Sequence, residues 1–182
     1  DQHITSAAGF VEIPEERPAS VDAGERERNA ILLFHERQTT LTEDLHVDLL
    51  ASAIGTTIDN HPTQDTGSAV IAADTGINSY FLHFDPVGDP TDLVDANITI
   101  RFDDEILGII TATDLLMTSD FILGVVGKYS KAPWRGLELD TLEGVMLFDD
   151  HHSLMVNLTA IGQDLDHLLV ITAASVVPLP AS

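Results

Sequence analysis

From residue 29 onward the chain is divided into short runs of β-branched and aromatic side chains, separated by Asp, Gly, Asn and Pro. No other feature constrains the fold as strongly. Runs this short do not build helices, and several carry the two-residue period of a strand. The clearest covers residues 97–102, where Ile98, Ile100 and Phe102 alternate with Asn97, Thr99 and Arg101. Such a strand has one apolar and one polar face. Leu45, Val47 and Leu49 alternate in the same way. Residues 31–34 are continuously apolar and end at His35-Glu36. Residues 68–73 and 77–85 are two further runs, joined by Asp74-Thr75-Gly76, a tight-turn signal. Asp103-Asp104-Glu105 interrupts before residues 106–112 resume; residues 145–148 and 154–158 flank a polar hairpin, and residues 168–172 close the series.

Eight to ten short strands at this spacing predict an all-β fold, an antiparallel β-sandwich. One helical insertion is expected over residues 114–123. Thr113 is placed to cap it, and Leu115, Leu116, Phe121 and Ile122 to form its apolar face. Residues 128–140 around Trp134 read as a loop. No fixed-period repeat is present, which disfavours solenoids and propellers.

The chain divides into an arm at residues 1–29, a sandwich at 30–175 and a tail at 176–182. In the arm, Pro14, Pro18, Gly24 and the charged run 25–28 argue against a helix or central strand beyond residue 13. Before it, Ile4, Ser6, Ala8 and Phe10 alternate with Thr5, Ala7 and Gly9. The arm is therefore either the domain's own edge strand or a strand donated to a neighbouring subunit. Ile4, Ala8, Phe10, Val11 and Ile13 are the residues expected to dock it.

Charge excludes several partners. The 30 acids against 8 Lys and Arg leave a net charge of -22, so nucleic acid and anionic membrane surfaces are repelled. A hydrophobic content of 44 % nevertheless excludes a disordered acidic tail. There is no cysteine, hence no disulfide, thiol catalysis or Cys-based zinc site. No apolar run approaches the ~18 residues of a membrane span.

Few residues suggest chemistry. Asp149-Asp150-His151-His152 offers metal-ligand types, but adjacent residues of a strand diverge, so a solvated hairpin tip is the simpler reading. His83 is expected to face solvent beside Leu82. The loop carrying Asp85, Asp89 and Asp92, with Asp95 following, supplies the hard oxygen ligands that calcium takes, although the EF-hand spacing is absent. Calcium is the one cofactor these residues suggest. No nucleophile elbow, phosphate loop or His-Glu-x-x-His helix occurs, and the chain is not expected to be an enzyme. Lys128, Lys131 and Arg135 gather around Trp134, whereas residues 38–127 hold 15 acids and a single base, Arg101. This basic island suits an acidic glycan or the acidic face of another copy. Sequons stand at Asn97 and Asn157, both on the solvent parity of a strand.

The C-terminal tract Val177-Pro178-Leu179-Pro180-Ala181 resembles the head of a VPLPA-type, PEP-CTERM-like sorting signal of Gram-negative bacteria, which an exosortase processes. The stretches Ser79-Tyr80-Phe81-Leu82-His83-Phe84-Asp85-Pro86-Val87-Gly88, Phe102-Asp103-Asp104-Glu105-Ile106-Leu107-Gly108-Ile109-Ile110, Arg135-Gly136-Leu137-Glu138 and Leu169-Val170-Ile171-Thr172-Ala173 are similar to segments of secreted proteins with such tails. The resemblance implies export and a place on the cell surface or in the biofilm matrix. An opening at Asp1-Gln2-His3 without Met is what signal-peptide removal leaves. The function expected is an extracellular structural subunit that self-associates into filaments by β-strand complementation. The alternative is a calcium-dependent carbohydrate-binding module for exopolysaccharide.

Overall fold

The structure, a computed structural model, describes residues 3–50, 57–59, 69–88, 90–125, 127–137 and 143–174. The C-terminal tract 177–181 and Asp89 lie outside the described residues. In chain order the strands are β1 (Ile4–Gly9), β2 (Val11–Glu12), β3 (Ser20–Val21), β4 (Ile31–Thr40), β5 (Leu45–Val47), β6 (Leu49–Leu50), β7 (Thr57–Asp59) and β8 (Ala69–Ile71). They continue with β9 (Gly76–Phe84), β10 (Val94–Phe102) and β11 (Ile106–Ile110). The helix α1 (Thr113–Ile122) follows, then β12 (Lys128–Tyr129), β13 (Gly144–Leu147), β14 (Ser153–Ala160) and β15 (Asp166–Ala173).

The longer strands form two sheets. The five-stranded sheet runs β1-β10-β14-β13-β7, and the six-stranded sheet runs β2-β4-β9-β15-β11-β6. The pairings within them are antiparallel except β2 with β4. The fold is the all-β sandwich with a short helix that the run spacing predicts. Strand β10 buries Ala96, Ile98, Ile100 and Phe102 and exposes the residues between them, as its alternation requires. Its apolar face meets Leu33, Tyr80, Leu82, Phe84, Leu168 and Val170 of the six-stranded sheet.

That second sheet is buried on both faces. Leu32, Phe34, Phe81, Leu169 and Ile171 point away from the sandwich into a second core, completed by Val21, Leu45, Val47, Ile71, Leu116 and Leu123. An outer layer therefore covers the sheet, made of α1 and two short ribbons, β3 with β12 and β5 with β8. Burial on both sides is why residues 31–34, 80–84 and 168–172 read as continuous apolar runs without alternation.

Three local expectations are corrected. The turn at Asp74-Thr75-Gly76 forms, with Asp74 at φ 66°, but β8 pairs with β5 and β9 with β4 and β15. The turn moves the chain from the outer layer into the sheet. Helix α1 begins one residue early at Thr113, and Ala112 is its N-cap. The Asp48 carboxylate accepts the Thr111 and Ala112 backbone N–H groups at 2.7 and 2.8 Å, while the Thr113 hydroxyl accepts Gly136 N–H at 2.9 Å. Asp48 thus fixes the turn that leads into α1, and the helix itself has no side-chain N-cap hydrogen bond. Phe121, expected on the buried face of α1, is 92 % exposed; Leu116 and Ser119 are the helix's buried residues.

Candidate functional site

Two places gather the residues singled out above: the arm along the edge of the sandwich, and the outer layer around Tyr129.

The arm straps both sheets. Strand β1 pairs antiparallel with β10, matching Ala7 to Ile100, Ala8 to Thr99 and Gly9 to Ile98. The chain then crosses to the other sheet, where β2 pairs parallel with β4. Gly9 makes the crossing at φ 106°, a left-handed value, and a Cβ there would lie 2.1 Å from the Asn97 carbonyl oxygen. Only glycine fits. Phe10 N–H then donates to Asn97 O at 3.1 Å, and Ile31 N–H donates to Phe10 O at 2.8 Å. The expected side-chain face is corrected. The register shifts between Ile4 and Ser6, a bulge that reverses the parity downstream. Ile4 and Ala7 are half-buried, Ser6 and Ala8 are exposed, and Phe10 is 61 % exposed. Val11 packs against the core, whereas Ile13 stays exposed.

In the outer layer, α1 and residues 127–135 wall a cleft of about 810 Å3, lined by Met117, Phe121, Lys128, Tyr129 and Lys131 among others. Lys128 and Lys131 are exposed as expected. Arg135 is not part of a surface patch: it is 0 % exposed and forms an ion pair with Asp120, one of whose two contacts spans 3.1 Å. A guanidinium buried against the sheet needs this carboxylate, because an unpaired buried charge is costly. Burial raises the Asp120 pKa while Arg135 works against that rise. Trp134 stands 50 % exposed in the neighbouring turn, outside the cleft lining.

Beneath the cleft lies a polar seam that sequence reading missed. The Tyr129 hydroxyl donates to the Glu36 carboxylate, and Ser79 donates to its other oxygen at 3.3 Å. Burial pushes the Glu36 carboxyl up to about 7, against the pull of the Tyr129 hydrogen bond. His83, expected at the surface, is buried. Its Nδ1 meets His167 Nε2 at 2.8 Å, and its Nε2 lies 3.2 Å from Glu25 O. Burial lowers His83 to about 4 and His167 well below its ordinary value, so both imidazoles are neutral near neutrality. The sequence signal was faint: polar residues inside the most apolar runs of the chain, in strands that the outer layer then covers.

Asp85, Asp92 and Asp95, the three of the four aspartates that are described, form no common site. Asp85 is buried, accepts Gly24 N–H at 2.8 Å and is raised to about 6 by burial, while Asp92 and Asp95 are exposed. Among the described residues, no three metal-ligating side chains are grouped to hold an ion. The turn at 149–152 is the tip of the β13–β14 hairpin, tied by Asp150 to His152 N–H and Ser153 N–H. Asn97 and Asn157 stand directly opposite each other in the β10–β14 pair, the first exposed and the second half-buried.

No helix among the described residues is long and apolar enough to cross a membrane. No protein-family model, curated protein or solved structure matches the chain.

Proposed function

We propose that this protein is an extracellular structural subunit that associates with its own copies by passing the N-terminal arm from one sandwich to the next. One observation carries the reading. The arm completes the edges of both sheets, yet few of its side chains are even half-buried. It is held mainly by backbone hydrogen bonds, and these are identical whether the arm comes from the same copy or another. Withdrawing it exposes β10, a nine-residue strand whose free N–H and C=O groups then demand a partner. Pro14 and Pro18 follow β2 within the arm and favour an extended link over local refolding. A strand given by each copy to the next makes a chain of subunits unless the ring closes. Export is supported by the VPLPA-like tract, and exopolysaccharide is a surrounding that the acidic surface tolerates without requiring it.

The test uses the absence of cysteine. Ala8 and Thr99 are exposed and directly opposed across β1 and β10, a geometry that a disulfide can bridge. In an Ala8→Cys, Thr99→Cys variant, oxidation at low concentration locks the arm onto its own sheet. Light scattering is expected to show oligomers growing with concentration in the reduced protein, and monomer in the oxidised protein. Monomer at every concentration in the reduced and the unmodified protein would overturn the proposal.

A further inference from the structure

The cleft beside α1 holds both lysines of the chain, Lys128 and Lys131, three residues apart. Most of the arginines are engaged elsewhere. Arg17 donates to Glu36 O, Arg37 to Ile122 O, Arg28 to Glu12, Arg101 to Asp150 and Arg135 to Asp120. Among the described residues Lys128 forms an ion pair only with Glu25, at 4.0 Å with both side chains solvated, a contact of small energy. A chain of net charge -22 thus presents both its ammonium groups at one cavity.

The same cavity has an apolar wall without a folding role. Phe121 projects from α1 at 92 % exposure, with Met117 one turn earlier and the Tyr129 ring beside it. The hydroxyl of Tyr129 is turned inward to Glu36, so its ring is fixed in place. Asp120 also lines the cleft, but Arg135 neutralises it. Among the described residues Asp22 is the other lining carboxylate, and Glu25 reaches Lys128 from outside the lining at 4.0 Å. Acids farther than ~8 Å are screened at physiological ionic strength, so the local charge governs what binds.

We propose that this cleft binds a small carboxylate that carries a ring with an apolar face. The carboxylate accepts charge-assisted hydrogen bonds from Lys128 and Lys131, and the ring lies against Phe121 and Met117. A hexuronic acid supplies this chemistry from carbohydrate, and an arylacetic acid supplies it from aromatic metabolism. The site is independent of the arm and goes beyond the structural role proposed above.

The test is a 15N-labelled titration of the full chain with glucuronate, glucose and phenylacetate, following the Gly124 and Gly127 amides that border the cleft. Glucuronate or phenylacetate is expected to shift both amides, and whichever binds more tightly identifies the source. The Lys128→Gln, Lys131→Gln double variant is expected to lose about tenfold or more in affinity, the range of a hydrogen bond to a charged group. Phe121→Ala, with no burial to lose, is expected to keep its fold and bind severalfold more weakly. Glucose binding as tightly as glucuronate, shifts elsewhere but not at Gly124 and Gly127, or unchanged affinity in both variants would overturn the proposal.

Discussion

Replacing Glu36 with Gln isolates the energetic consequence of burying a carboxyl under the outer layer. The amide keeps an oxygen to accept from Tyr129, places an N–H donor where Ser79 Oγ can accept, and removes the charge. In the unfolded chain this group ionises near 4.5, and in the folded protein near 7. The folded state therefore holds a proton that the unfolded state has released, and stability is lost as pH rises from 4.5, levelling off above 7. A separation of two to three pH units corresponds to about 3 kcal/mol, at ~1.4 kcal/mol per unit. The Gln variant lacks this penalty. Urea unfolding of both proteins across that pH range is expected to show the variant gaining on the parent by about 3 kcal/mol from the acid to the alkaline end. Any constant offset reports the new N–H donors of Gln, and the remaining carboxylates cancel in the difference. A difference that stays flat within about 1 kcal/mol would refute the argument, because it would mean that water or relaxation solvates Glu36 in the folded state.

Two other perturbations address the same layer. Arg135→Met is expected to destabilise by about 3–5 kcal/mol, since it leaves Asp120 without its buried partner, and adding Asp120→Asn should restore part of the loss in a double-mutant cycle; equal midpoints for parent and single variant would contradict the pairing. Burial holds His83 at about 4 against an ordinary 6.5, so stability falls as pH drops below 6.5, by about 3 kcal/mol at the lower value. His83→Gln is expected to flatten that acid slope in thermal unfolding, and an unchanged slope would place the proton uptake elsewhere.

What was legible in the sequence follows from what a strand demands locally. A strand buried on one face must alternate, so β10 and β14 were visible at residues 98–102 and 154–158. A strand buried on both faces loses its alternation, and β4, β9 and β15 were visible only as apolar runs. Nothing local says that a second core lies behind them. His83 therefore read as a solvent residue: its neighbours fixed its parity, but the face it pointed to was covered by the outer layer that carries Val21, Glu25, Leu116 and Leu123. Phe121 failed in the opposite direction, because helical spacing alone cannot reveal that the sheet below α1 is already filled by Leu116 and Leu123. The arm's strand was foreseen, and its side-chain parity was reversed by one bulge.

The sequence by itself determined the class of fold, through short β-branched runs and turn residues, and the acidic balance of the molecule, a charge of -22. It also marked where the cations lie. Only the tertiary structure decided which of those cations are free to act, which polar groups are buried, and that the arm closes its own sandwich. The physical reason is range. Periodicity and turn chemistry act over a few residues, whereas Arg135 meets Asp120, Tyr129 meets Glu36 and His83 meets His167 across separations of 15, 93 and 84 residues. Such pairings exist only after the sheets have stacked.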